Sequence, residues 1–224
     1  MIKLEKYEVM GWEHAIRGMR NPMNSWEKGD SLASTEAFVE GFDIIGPNDH
    51  KLMMNLRNAG TDHRKYMRMI TVYVDITAPL YWWKEFDTYK VGTVANSCST
   101  MHKIHEKEFT EDDFSLEHLV FLPWDDGEFN FKASVYETIS DLNIARELYN
   151  KTKDKRYFNV MIQLLPSSYN QKRTVMLNYE VLANMYKSRK NHKLDEWVEF
   201  CKWIEYDLPY SELITGNFEE GETK

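Results

Sequence analysis

The chain has 224 residues, 42% of them hydrophobic and 31 aromatic, enough apolar side chain for one sizeable core, which excludes global disorder. It carries 36 acidic and 28 basic side chains, a formal net charge of −8, and two cysteines, Cys98 and Cys201, too few for a disulfide scaffold. No run approaches the roughly 20 apolar residues that span a bilayer, and Met1-Ile2-Lys3-Leu4-Glu5-Lys6 lacks the apolar core of a secretion signal, so a soluble, cytoplasmic protein with reduced thiols is expected. With no internal repeat or low-complexity linker, a single domain over 1–216 and a polar tail over 217–224 is the simplest organisation.

Segments 13–20 and 49–58 read as helices. From Met67 to Thr77 the chain alternates, with Ile70, Val72, Val74 and Ile76 on one side of a period-two pattern, as in a strand with one buried face. Ala78-Pro79 ends it, because proline cannot donate to the ladder, and aromatic-rich Leu80 to Tyr89 reads as a helix with Pro79 near its first turn. Gly92 to Thr100 reads as a loop. Residues 106–128 hold nine acidic side chains and one basic, a net of −8, and read as a peripheral acidic excursion. Ser134-Val-Tyr-Glu137 has capping-box spacing, with Val135, Ile139, Leu142 and Tyr149 at helical intervals behind it.

Ser168-Tyr-Asn-Gln171 is a second such box and predicts a long helix over 168–189 with Leu177, Val181 and Met185 as its apolar stripe. On that helix Asn178 and Arg189 are eleven positions, about 20°, apart and share a face. A final helix has Leu194, Trp197, Cys201 and Ile204 at core spacing. The class is therefore α+β. Residues 146–193 carry a net charge of +8, which suits an anionic ligand or, alternatively, a solvated helical surface.

The usual catalytic signatures are absent: no Gly-rich phosphate loop, no Gly-x-Ser-x-Gly elbow and no Cys-x-x-Cys pair. Cys98, His102 and His105 lack a further ligand cluster, so no metal is expected. His63, beside Arg64 and Lys65, reads as surface. The basic region carries no nucleic-acid recognition motif, so neither nucleic acid nor membrane is expected as partner.

The order of the elements adds to this. Ala15-Ile-Arg-Gly-Met-Arg20, the strand ending at Ala78-Pro79 with its aromatic helix, Asn96-Ser-Cys-Ser99, Leu164-Leu-Pro166 followed by Asn178, Asn184 and Arg189, and Leu208-Pro209-Tyr210 stand in the order found in flavin-dependent thymidylate synthases, the ThyX family. Over Ala15 to about Thr215 the chain resembles that family. The resemblance implies a twisted, antiparallel-rich sheet surrounded by helices, with a long active-site helix, assembled as a homotetramer with active sites between subunits. It implies one-carbon transfer from methylenetetrahydrofolate to a pyrimidine deoxynucleotide such as dUMP, with reduced FAD as cofactor and NADPH as a further co-substrate. Arg189 matches the arginine that orients and activates the pyrimidine, Asn178 and Asn184 match flavin-contacting asparagines, and His192 lies near the flavin histidine. Ser99, with Asn96, matches the nucleotide pocket, and Tyr89 and Lys90 fall in the family's Arg-His-Arg segment.

That segment is where the chain departs. Thr88-Tyr89-Lys90, or Tyr89-Lys90-Val91, stands for Arg-His-Arg, and Ser97, Met101-His102, Ile162 and Glu180 stand where the family has Glu, Arg-Tyr, Arg and Arg. Each lost bidentate phosphate arginine removes about 1.5–3 kcal/mol of charge-assisted contact. Either the ligand differs, including a catalytically silent nucleotide- or flavin-binding homologue or an enzyme for another pyrimidine nucleotide, or the phosphate meets other cations such as Lys90, Lys172 or Arg173. Each residue also has a structural reading. Arg189 suits a helix C-terminus, Asn96 and Ser99 suit a loop, and Trp82, Trp83 and Tyr89 suit a core as well as a flavin-stacking surface.

Overall fold

The structure, a computed structural model, describes residues 2–31, 45–119, 121–124 and 127–216; Asp125, Asp126 and the tail 217–224 lie outside the described residues. In chain order the elements are β1 (Lys3–Met10), α1 (Trp12–Arg20), α2 (Pro47–Asn58), β2 (Thr71–Pro79), α3 (Leu80–Phe86), β3 (Val94–Ser97), α4 (Thr100–Lys103), β4 (Phe121–Trp124), β5 (Gly127–Asn130), α5 (Phe131–Thr152), α6 (Lys155–Leu164), β6 (Asn170–Asn178), α7 (Tyr179–Arg189), α8 (Asp195–Tyr206) and α9 (Glu212–Thr215). Four strands form one sheet in the order β1-β2-β6-β3, and β4 and β5 form an antiparallel hairpin. Helices and antiparallel sheet together make the expected α+β class.

Strand β2 has the predicted face: Ile70, just before it, and Val72, Val74 and Ile76 are all essentially inaccessible to solvent. It starts later than predicted, because Arg64–Met69 winds into a 3-10 helix whose Tyr66 hydroxyl donates to the Met53 carbonyl oxygen. The segment read as a loop contains β3 and ends on the first residue of α4. All four β3 residues are exposed, so no apolar alternation marked the strand.

The largest correction concerns 168–189. Ser168-Gln171 is not a helix start; Tyr169 closes a turn onto the Pro166 carbonyl, and the chain then extends as β6, with Val175 and Leu177 buried on the period of two. Helix α7 begins only at Tyr179, where the Asn178 side chain accepts a hydrogen bond from the Val181 amide at 3.1 Å. A smaller shift of the same kind occurs at α5, whose cap is Asn130, accepting from the Lys132 amide, while Ser134 lies within the helix.

By contact density the chain divides into two units. The first comprises Met1–Lys3, Asp75–Thr88 and Ala95–Thr174, the second Leu4–Val74, Tyr89–Val94 and Val175–Lys224. In the first, α5 packs on α6, and Leu142, Ala145 and Met161 share a core with Ile104, Phe109, Phe114 and Leu116. Apolar residues of the acidic segment are thus part of that core. Val135, Ile139 and Tyr149 lie against it, as the helical spacing predicted. In the second unit, α7 packs against α8, α9 and the 3-10 helix 64–69 around Met67, Tyr179, Leu182, Trp197 and Phe200. Among the described residues no helix is long and apolar enough to cross a membrane.

Candidate functional site

The second unit holds Arg189, Tyr89, Lys90, Asn178, Asn184 and His192; the first holds Asn96 and Ser99. At the end of α7 the Arg189 Nε donates to the Tyr89 hydroxyl at 3.0 Å, and its Nη1 lies 2.9 Å from His192 Nε2. The guanidinium carbon sits 4.8 Å from the centroid of the fully buried Trp197 ring and 5.7 Å from that of Tyr89. The Leu194 amide lies 3.2 Å from His192 Nδ1, and because a neutral imidazole has one acceptor nitrogen, the tautomer that accepts from Arg189 at Nε2 carries its proton on Nδ1. Arg189 is therefore a half-buried cation on an aromatic floor, held in one orientation and able to present a planar donor edge to a phosphate or a ring carbonyl. Nearby Cys201 is no nucleophile. Burial, reinforced by Glu205, pushes its thiol up to about 12 against the pull of Arg189 and Lys190.

Asn178 and Arg189 do not share a helical face, since Asn178 precedes the helix. Arg189 touches the segment that replaces Arg-His-Arg through Tyr89, and Asn178 lies against Gly92, just beyond that segment. Gly92 has φ +80°, and a Cβ there would lie 2.9 Å from Asn178 Nδ2 and 3.1 Å from Val181 Cγ2. Gly92→Ala is therefore expected to destabilise the fold by about 1–3 kcal/mol, read as a lowered denaturation midpoint, because it adds a left-handed alanine and displaces the α7 cap.

Farther along α7, Glu180 and Asn184 lie one turn apart on one face, and Arg189, nine residues after Glu180, lies about 180° away. Glu180, placed where the resemblance expects an arginine, is buried and paired with two: Arg64 Nε donates to one carboxylate oxygen at 3.3 Å and Arg68 Nε to the other. Arg64 Nη2 also donates to Asn184 Oδ1 at 3.0 Å. Sequence reasoning read the neighbouring His63 as surface and singled out neither Arg64 nor Arg68 as a site residue. The available signal was Glu180 itself, since a carboxylate at an arginine position needs compensating cations.

In the first unit, Asn96 is exposed on β3 and Ser99 borders a cavity of about 210 Å³ whose wall includes Cys98, Thr100, Lys103, Lys107 and Lys172. Lys172 pairs with Asp75 at 3.2 Å yet still faces this cavity. Arg173 is held within the unit: it donates to Asp87 at 2.7 Å and to Gln171 at 3.0 Å, and stacks 4.1 Å over Trp83. Lys90 is exposed. Trp82 and Trp83 are core residues in edge contact with each other, at 0% and 1% exposure, and offer no flavin-stacking surface. Among the described residues, no three His, Cys, Asp or Glu side chains come together as metal ligands.

The early helix contributes a buried ion pair. Arg20 Nε donates to Asp49 at 2.6 Å, and its other nitrogens donate to the Ser25 and Lys28 carbonyl oxygens. A cavity of about 250 Å³ lies beside the pair, with Arg17 and Trp26 in its wall.

No protein-family model matches the chain, and no curated protein matches its sequence. Solved structures do. Two structures of thymidylate synthase X from Helicobacter pylori, each with FAD and dUMP, align with TM-scores of 0.68 and 0.63 at 17% identity, over 96% and 97% of this chain and 98% and 99% of theirs. The UMP/dUMP methylase PolB from Streptomyces cacaoi, bound with 5-Br dUMP, aligns with a TM-score of 0.55 at 13% identity, over 92% of this chain and 88% of its own. The chain has the ThyX fold.

The donor set fits a flavin nucleotide as well as a pyrimidine nucleotide. Arg64, Arg68 and Asn184 present hydrogen-bond donors along one side of α7, and Arg189 presents a fixed guanidinium on the other.

Proposed function

We propose that the chain is a ThyX-like flavin-dependent transferase that carries a one-carbon unit onto a pyrimidine deoxynucleotide such as dUMP. In this reading methylenetetrahydrofolate is the donor, NADPH the source of reducing equivalents, and the assembly a cytoplasmic homotetramer. Bound FAD would supply the hydride and relay the carbon unit. The observation that carries the reading is Arg189, clamped between Tyr89, His192 and Trp197 in a chain with the ThyX fold.

The residues divide the work by position. Arg189 binds the pyrimidine edge, and its charge stabilises the negative charge that accumulates on a ring carbonyl oxygen as C5 becomes nucleophilic. Asn178, Asn184 and His192 hold the flavin, with Tyr89 and Lys90 beside it. Ser99 and Asn96 hold the nucleotide, with Lys172 at the same cavity replacing lost arginine charge. Arg189 and Asn184 point away from each other on one helix, which supports active sites completed by different subunits.

One observation favours the silent homologue: the Tyr89 hydroxyl accepts from Arg189 Nε, so part of the guanidinium is occupied from within the chain. The protein purified from cells, or titrated with FAD, is expected to acquire a flavin absorption band and to support growth of a thymidine auxotroph. Failure of the folded, oligomeric protein to take up FAD would sink the flavoenzyme reading. FAD uptake without growth would point to another pyrimidine nucleotide.

A further inference from the structure

Glu180 is buried and plays no part in the reaction proposed above. Its carboxylate accepts from Arg64 Nε and from Arg68 through Nε and, at 3.4 Å, through Nη2, while Asn184 Oδ1 accepts from Arg64 Nη2. The consequence is orientational. Each arginine uses two of its five N–H donors within this cluster, and the rest have no hydrogen-bond partner among the described residues. Asn184 is fixed as well: its oxygen must meet the Arg64 N–H, so its amide NH2 is the end presented outward from an exposed position. Apart from the Glu180 carboxylate, which is committed to the two arginines, and the exposed Asp62, the polar groups on this face are donors.

The surrounding charges have the same sense. Lys65 eclipses Arg68 on the 3-10 helix, and Lys187 follows Asn184 by three residues on α7; both are exposed. With Arg64 and Arg68 these make four cations against Glu180 and Asp62. Asp62 is close enough to act on Arg68. A net of two positive charges with fixed guanidinium planes matches a diphosphate better than a neutral ring system.

We propose that Glu180 is a positioning residue which aims Arg64, Arg68 and Asn184 at the diphosphate of a dinucleotide, of which the ADP half of FAD is the example tested. The inference rests on the flavin reading and deepens it: where the resemblance expects one arginine on α7, this chain presents two from the 3-10 helix, aligned by an acid.

The test uses the full-length protein with three probes, FAD, ADP and riboflavin, and the variants Arg68→Ala, Asn184→Ala, Glu180→Gln and Glu180→Asp. Arg68→Ala is expected to weaken FAD and ADP about tenfold or more and to leave riboflavin unchanged. It should also lower the salt dependence of binding, with an unchanged thermal midpoint, because Arg68 is half exposed and Arg64 still pairs Glu180. Asn184→Ala should weaken both diphosphate probes severalfold. Glu180→Gln should weaken them about as much as Arg68→Ala does, and Glu180→Asp should recover part of the loss, which a purely structural role would not produce. Wild-type affinity for FAD and ADP in the Arg68 and Glu180 variants overturns the proposal while leaving the flavin reading intact. ADP binding that needs Arg68, in a protein that takes no flavin, upholds this site and removes the flavin reading. Failure of the wild type to bind either diphosphate overturns both.

Discussion

Asp49→Asn is expected to destabilise the protein by about 3–5 kcal/mol, a large part of the 5–15 kcal/mol that typically separates folded from unfolded chains. The Asp49 carboxylate is fully buried. It accepts from Arg20 on one oxygen, and on the other from the Ser31 hydroxyl and the amides of Asp30 and Ser31. An asparagine has nearly the same shape but directs an NH2 group at some of these donors and leaves the buried Arg20 guanidinium without a counter-charge. Thermal unfolding near neutral pH should fall by about 10 °C or more. The pH dependence has a definite sign. Burial alone would raise the Asp49 pKa, but the hydrogen bonds from Ser31, from Arg20 and from the two amides hold it below the ordinary carboxylate value. A carboxyl that titrates lower in the folded state contributes fully above its unfolded pKa of about 3.9 and loses that contribution as the pH falls through the folded value. The gap between wild type and Asp49→Asn should therefore be widest near neutrality and narrow below about pH 4. A constant gap across that range would show that the charge of Asp49 is not what stabilises the pair.

How much of this was legible in the sequence varies with the physics of each residue. Strand β2 and the core face of α8 were readable because burial imposes a period, and Ile70, Val72, Val74, Trp197, Cys201 and Ile204 obey it. Helix α7 was misplaced at its start because Ser168 and Asn178 both have cap chemistry. Only the pairing of β6 with β2 and β3, a long-range fact, decides that 170–178 extends. Arg173 was a reasonable phosphate candidate by charge alone. Its contacts with Asp87 and Trp83 join residues 86 or more positions apart, which no spacing rule reveals, and only Gln171, two residues back along the same strand, is local. Tyr89 was legible as a departure from a motif, but its hydroxyl on Arg189, 100 residues away, was not. Local caps and periods are written in the sequence. Ion pairs and aromatic floors are written in the fold.

Arg189→Ala is expected to weaken dUMP binding about a hundredfold or more, near 3 kcal/mol, because it removes a guanidinium already oriented by three neighbours rather than a mobile surface cation. Arg189→Lys should recover little, since an ammonium has neither the planar donor edge nor the same stacking on Trp197. The stability cost of the alanine should be small beside this, about 1–2 kcal/mol for the lost cation–π contact. Comparing dUMP with deoxyuridine in a calorimetric titration locates the contact. Equal losses for nucleotide and nucleoside place Arg189 on the base, as the proposed activation of the pyrimidine requires; a loss confined to dUMP places it on the phosphate, and unchanged affinity for both removes it from the site. Tyr89→Phe then separates the two readings of the chain. The substitution keeps the ring beside Arg189 and deletes the hydroxyl that accepts from Nε. An enzyme that uses Tyr89 to orient Arg189 loses affinity and rate on this change, by about tenfold or more for one charge-assisted hydrogen bond of about 1.5–3 kcal/mol. A silent homologue in which Tyr89 occupies the arginine instead binds nucleotide more tightly after the substitution than before it.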